Sequence, residues 1–155
     1  MMRLRPARST DLPRMNELAL ESKAVWGYER EQLDAWKADL ETKPETIDTW
    51  PTVVAERDGT ILGFAQLDPS QEPWELVSLW IDQQHMRKGI GRALLCRAQG
   101  IAASAKQQQI AIDSDPNALA FYVACGAVVV ALEAAPINGQ PERARPQLLL
   151  PTNAA

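Results

Sequence analysis

The sequence predicts an α/β (α+β) domain built on a mixed sheet. Three observations carry this. Two runs of helical apolar spacing follow a short N-terminal strand. An Asp-Gly pair then sits between two β-prone runs, the mark of a hairpin. Further on, a helix lies between two strands, the crossover that joins parallel neighbours. The order is strand, two helices, three strands, helix, strand, helix, two strands, which places a mixed sheet among helices. At 155 residues, with 46% apolar and 23% charged side chains, residues 1–155 fit one domain with its own core.

Arg3 to Ala7 reads as the first strand. Ser9-Thr10-Asp11-Leu12-Pro13 opens a helix with capping side chains and an early proline. Leu12, Met15, Leu18 and Leu20 form its stripe, and it fades near Trp26-Gly27-Tyr28. A second helix over 29–41 carries Leu33, Trp36 and Leu40 and stops at Lys43-Pro44. Strands are expected over 52–56 and 61–67, joined through Asp58-Gly59, and over 74–81. The next helix, 89–105, turns Ile90, Ala93, Leu94, Ala98 and Ile101 to one side. A short strand over 109–112 precedes a helix over 116–125, opened by Asp115-Pro116 and closed by Gly126. Ala127 to Leu132 is a β run, and Gln147 to Leu150 forms the last strand after a loop from Ala135 to Arg145.

Composition excludes several classes. No apolar run approaches the ~20 residues of a membrane span, and the N-terminus lacks a signal-peptide core. Cys96 and Cys125 show no CxxC spacing, and His85 is the one histidine, so no metal site is expected. A reducing cytoplasm is the default compartment. The net charge of −4 is unevenly spread. Residues 1–82 carry 16 acids and 9 bases, whereas 83–112 carry five bases and no acid. An acidic chain with one basic segment does not suit nucleic acid. It suits a local anionic ligand.

That segment begins Leu79-Trp80-Ile81-Asp82-Gln83-Gln84-His85-Met86-Arg87-Lys88-Gly89-Ile90-Gly91-Arg92. A strand enters a Gly-x-Gly loop and a helix starts there. The N–H groups of a helix start attract anions, glycines admit a close approach, and Arg87, Lys88 and Arg92 add charge. The pattern is neither a Walker A loop nor the three-glycine dinucleotide fingerprint. Strand, helix and basic residues together point to a phosphate site.

The stretch Met86-Arg87-Lys88-Gly89-Ile90-Gly91 resembles the acetyl-CoA pyrophosphate loop of the GNAT superfamily of N-acetyltransferases, Arg/Gln-x-x-Gly-x-Gly/Ala, with Met86 at the position usually held by Arg or Gln. Asp115-Pro116-Asn117-Ala118-Leu119-Ala120-Phe121-Tyr122-Val123-Ala124-Cys125-Gly126 looks like the family's Asn-x-x-Ala-x-x-Phe-Tyr helix, with Asp115 replacing Asn. The spacing of the two motifs and the element order match over nearly the whole chain. Ser22-Lys23-Ala24-Val25-Trp26-Gly27-Tyr28 resembles a segment of a small bacterial subgroup. The resemblance implies a mostly antiparallel sheet of about seven strands flanked by about four helices.

It also implies direct acetyl transfer from acetyl-CoA to an amine, with no metal. By resemblance, Leu79, Trp80 and Ile81 hold the pantetheine arm, and Arg87, Lys88, Gly89, Ile90, Gly91 and Arg92 hold the pyrophosphate. Asp115 and Asn117 lie against the arm. Tyr122 is the expected general acid for the leaving thiolate, and Glu75, on one strand face with Ile81, the expected base. Trp26 and Tyr28 are expected at the acceptor wall. The acidic N-terminal half favours a cationic small amine, with a peptide acceptor as the other option. A non-catalytic acyl-CoA-binding module is the alternative reading; a transferase acting on aminoacyl-tRNA is disfavoured by a pI near 5.0. Sheet-edge pairing in the family implies a homodimer.

Overall fold

The computed structural model describes residues 1–154. Seven strands hydrogen-bond in the order β1-β2-β3-β4-β5-β7-β6, where β1 is Met2–Pro6, β2 Thr52–Arg57, β3 Thr60–Asp68, β4 Glu75–Ile81, β5 Gln109–Asp113, β6 Val128–Ala134 and β7 Ala144–Pro151. The four α-helices are α1 Leu12–Ala24, α2 Arg30–Leu40, α3 Ile90–Ser104 and α4 Leu119–Ala124. β4 pairs with β5 in parallel, and α3 is their crossover, as the sequence predicts. Contacts resolve into two compact units: Met1–Leu67 with Ser78–Ala98, and Asp68–Val77 with the chain from Gln99 onward.

In the first unit the hairpin of β2 and β3 turns through Asp58 (φ 50°) and Gly59 (φ 80°). Two positive φ values match the twist of the flanking strands. β1 pairs antiparallel to β2, with Leu4 opposite Ala55. The core gathers Met15, Leu18 and Ala19 of α1 with Ile47, Val54, Ile61 and Phe64, and Leu12, Leu40 and Trp80 pack against it. The spacing of Met15, Leu18, Ala19 and Ser22 is that of one helix face, and all four are buried. Arg5 of β1 forks onto Asp11 at 2.8 and 3.0 Å, and Asp11 also accepts the Arg8 N–H at 2.7 Å. The expected start of α1 is therefore a 3-10 turn, Ser9–Asp11, fastened to the sheet. On α3 the buried face is Ile90, Leu94, Leu95, Ala98 and Ala102, rotated slightly from the expected stripe.

In the second unit β5 lies antiparallel to β7, with Ile110 opposite Leu150 and Ile112 opposite Leu148. β6 pairs with β7 on one side and ends the sheet. All seven of its residues are exposed. β7 starts at Ala144, three residues earlier than expected. Arg145 accounts for the difference: it lies 3.3 Å from Asp113 of β5 and 3.3 Å from Glu133 of β6, so both neighbouring strands hold it. The expected loop thus shortens to residues 135–143.

Candidate active site

β4 pairs with β5 at Glu75–Ala111 and Leu76–Ile112, and the Trp74 carbonyl accepts from Ala111 at 2.8 Å. Beyond Leu76, no further β4–β5 pair occurs among the described residues. The rest of β4, Val77 to Ile81, therefore has one edge without a strand. At its far end the Asp82 N–H donates to the Leu62 carbonyl of β3 at 2.8 Å. The Trp80 carbonyl also faces β3: a Cβ added to Gly63 would meet it at 2.9 Å. Neighbouring residues of a strand turn their backbone groups to opposite sides. Leu79 and Ile81 thus present theirs to the open edge, and Trp80 to β3.

After Ile81 the chain enters a 3-10 turn, Gln83–His85, capped by the Asp82 carboxylate, which accepts from the Gln84 N–H at 3.0 Å. Arg14 of α1 holds the same carboxylate at 3.1 Å. His85 is half-buried with Nδ1 3.8 Å from Asp82. The loop then takes positive φ at Arg87 (64°) and Gly89 (84°). For Arg87 this conformation costs roughly 1–2 kcal/mol. For Gly89 it costs little, and no atom lies within 4 Å of where a Cβ would stand. Ala93 donates to the Gly89 carbonyl at 3.0 Å as the helix begins. The N–H groups of Ile90, Gly91 and Arg92 precede that bond and point out of the helix end. No acid stands in the first turn of α3, and Arg87, Lys88 and Arg92 are exposed. The Ile90 side chain is buried, so its backbone is what it offers a ligand. A 15-residue helix with Arg87 and Lys88 before it and Arg92 in its first turn has the charge and the N–H groups to hold an anion.

The corner between α1 and α2 is aromatic. Gly27 takes φ 82°, and the chain folds Tyr28 under it, 9% exposed. Tyr28 meets Trp36 edge to face at 4.9 Å. The Lys23 ammonium lies 4.7 Å from the Trp36 ring centre and 5.2 Å from that of Tyr28. Trp26 stands beside this cluster in sequence and is 41% exposed. Of the two expected wall residues, Trp26 is open to contact, and Tyr28 packs inward.

In the second unit Tyr122 sits in α4, buried, with its ring edge to face against Phe121 at 5.2 Å. Burial pushes its phenol far above the ordinary value, and the Cys125 thiol and Asp115 carboxylate add to the shift. Gly126 closes the helix at φ 102°, as the sequence predicts. Asp115 caps the 3-10 turn Pro116–Ala118 that leads into α4, at the helix start the sequence predicts. Its carboxylate accepts from the Asn117 N–H at 2.8 Å and from the Asn117 amide at 2.9 Å, and Arg143 lies 3.8 Å away. Asp-Pro-Asn before a helix is the signal for that cap. Glu75 opens β4 half-buried. Desolvation raises its pKa, and Asp113 and Asp68 raise it further. Burial also pushes Asp68 up, but hydrogen bonds from Ser70 and Gln71 hold it below the usual carboxylate range.

Residues 12–127 match the acetyltransferase (GNAT) family. The chain belongs to that family. Membership makes it an acyltransferase that depends on acetyl-CoA. Solved structures agree on the fold. The chain is similar to PaiA N-acetyltransferase from Thermoplasma acidophilum in complex with coenzyme A (TM-score 0.78, 20% identity, 97% of this chain and 99% of that one). It is also similar to a ribosomal-protein-alanine N-acetyltransferase from Escherichia coli (TM-score 0.76, 16%, covering 100% and 96%). A third is a spermidine N-acetyltransferase chimera from Vibrio cholerae and hSSAT (TM-score 0.71, 19%, covering 97% and 95%). No curated protein matches the chain. Among the described residues no group of three or more His, Cys, Asp or Glu is arranged to hold a metal ion. Among the same residues no helix is long and apolar enough to cross a membrane.

Proposed function

We propose that residues 1–155 form one acetyltransferase domain that moves the acetyl group of acetyl-CoA directly to a primary amine. The open edge of β4 leading to the α3 N-terminus carries this reading. It supplies two kinds of group in the order that acyl-CoA requires them. Leu79 and Ile81 offer strand-edge donors and acceptors to the amide-bearing pantetheine arm, by the logic of β-strand addition. Arg87, Lys88, Gly89, Gly91 and Arg92 then offer charge and N–H groups to the pyrophosphate. Asp115 and Asn117 serve through the turn that starts α4.

The reaction needs a neutral amine, a polarised carbonyl and a protonated leaving group. The amine nitrogen attacks the thioester carbon, and the carbonyl oxygen takes the electron pair. On collapse the C–S bond breaks, and Tyr122, whose buried phenol keeps its proton, protonates the thiolate. The proton lost by the amine passes to Glu75, directly or through water. The acceptor is a small, cationic amine or a peptide amine. The excess of acid over base in residues 1–82 supports the first, and Trp26 gives it an apolar contact. A cytoplasmic homodimer completes the reading. The dimer draws its support from the exposed edge strand β6.

The test is release of CoA thiol from acetyl-CoA with a panel of polyamines, amino acids and peptides. The expected outcome is acceptor-dependent thiol release, falling about 10²-fold in Tyr122→Phe. Tight CoA binding with no turnover on any amine would favour the non-catalytic module.

A further inference from the structure

Ser22 occupies a core-stripe position of α1, 2% exposed, where an alanine or leucine would satisfy packing alone. Its hydroxyl donates to the carbonyl oxygen of Ile81, the last residue of β4. That carbonyl belongs to the same peptide as the Asp82 N–H, which donates to Leu62 of β3. In a trans peptide the two groups point in opposite directions. One peptide plane is thus fixed from both sides, by α1 and by β3. Two turns earlier on the same helix, Arg14 ties the Asp82 side chain at 3.1 Å. On the next residue, Lys23 lies over the rings of Tyr28 and Trp36. The end of α1 therefore fastens both the strand end and the aromatic corner.

We infer that Ser22 is a positioning residue for acyl transfer, holding the Ile81–Asp82 peptide so that the open edge of β4 meets the acyl-pantetheine arm in one register. This rests on the reading of β4 as the cofactor strand. The reasoning is local. Of the four backbone groups that Leu79 and Ile81 turn to that edge, the Ile81 carbonyl is an acceptor already taken. Without the hydroxyl it is an unpaired acceptor, which the peptide answers by turning or by recruiting water. Either response moves or screens the Ile81 N–H one peptide away. The pyrophosphate loop is held further on, by the Asp82 side chain that caps its turn, by Arg14 on that carboxylate and by the start of α3, so it depends less on Ser22.

The two halves of the cofactor can be assayed apart. Adenosine 3′,5′-bisphosphate carries a 5′-phosphate and the 3′-phosphate of CoA and lacks pantetheine. Titration calorimetry of wild type, Ser22→Ala and Ser22→Cys with both ligands reads the inference directly. Ser22→Ala is expected to weaken CoA about tenfold and the bisphosphate less than twofold. Cysteine has a similar shape and a weak donor, so Ser22→Cys is expected between wild type and alanine. Should the alanine variant not fold, Ser22→Cys alone carries the comparison, again with CoA weakened and the bisphosphate not. Equal loss for both ligands would make Ser22 a packing residue, and no loss for either would make the bond idle. Both results overturn the inference. A wild type that binds neither ligand would instead overturn the cofactor reading on which it rests.

Discussion

Tyr122 and Glu75 are shifted upward by burial, with opposite chemical consequences. A phenol made less acidic keeps its proton to higher pH and releases it less readily, so its part as donor rests on the basicity of the leaving thiolate. A carboxyl made less acidic becomes a better base once ionised, at the cost of needing a higher pH to ionise. The folded-state pKa of Glu75 is raised, so its neutral form favours folding, and that contribution is lost as pH rises through the raised value. Activity follows the reverse order. The log of kcat/KM is expected to climb through the raised Glu75 pKa, above the ordinary 4.5, before the acceptor amine deprotonates. Glu75→Gln is expected to remove that lower limb and to reduce the plateau about 10²-fold. An unchanged profile and rate in the glutamine variant would assign the base elsewhere. At this scale the sequence was a partial guide. The loop around Gly89 and the helix that holds Phe121 and Tyr122 were legible because motifs mark them. The Ser22 bond and the bond from the Asn117 side chain to Asp115 were not, because short polar side chains find their partners only after the backbone is in place.

Elements were more legible, and for a physical reason: turns and helix ends have chemical requirements. Asp58-Gly59 fixed the hairpin, and Gly126 the end of α4. β7 was underestimated because Arg145-Pro146 reads locally as loop, whereas Asp113 and Glu133 hold Arg145 between two strands. The start of α1 is likewise set by a long-range pair. Arg5 and Asp11, 12% and 9% exposed at their side chains, join β1 to the turn before the helix. The hydrogen bond from Arg5 depresses the Asp11 pKa against the opposing effect of burial. That stability is present above the ordinary carboxylate pKa and disappears as pH falls through the depressed one. Arg5→Gln leaves a buried carboxylate without its cation and is expected to cost about 3 kcal/mol at pH 7 by urea unfolding. The gap from wild type should narrow on acidification as Asp11 protonates. A gap that stays constant with pH would show that the arginine acts through packing.

At the scale of the whole sheet, the β6 edge is guarded by little beyond a register shift between Val129 and Ala131. β6 reads Val-Val-Val-Ala-Leu-Glu-Ala and carries one charge, Glu133, which its own Arg145 offsets. Val128, Val130 and Leu132 are 59%, 57% and 69% exposed. Edge strands that stay monomeric place lysine, proline or inward charge there, and β6 has none of these. Antiparallel pairing of two β6 strands is the expected contact in the proposed homodimer. Sedimentation velocity should then show a dimer that Val130→Lys converts to monomer without loss of thermal stability in the monomer fold. A wild-type monomer at micromolar concentration would refute it. The central claim of the account is that β4, the Gly-x-Gly loop and the start of α3 form an acyl-CoA site. Thermal unfolding with acetyl-CoA, CoA and ATP tests it most directly. At 100 times its Kd, a ligand of the native state adds about 2.7 kcal/mol. Stabilisation of that order by acetyl-CoA and CoA, and not by ATP, is the predicted result. No shift at saturating acetyl-CoA, or an equal shift with ATP, would contradict it.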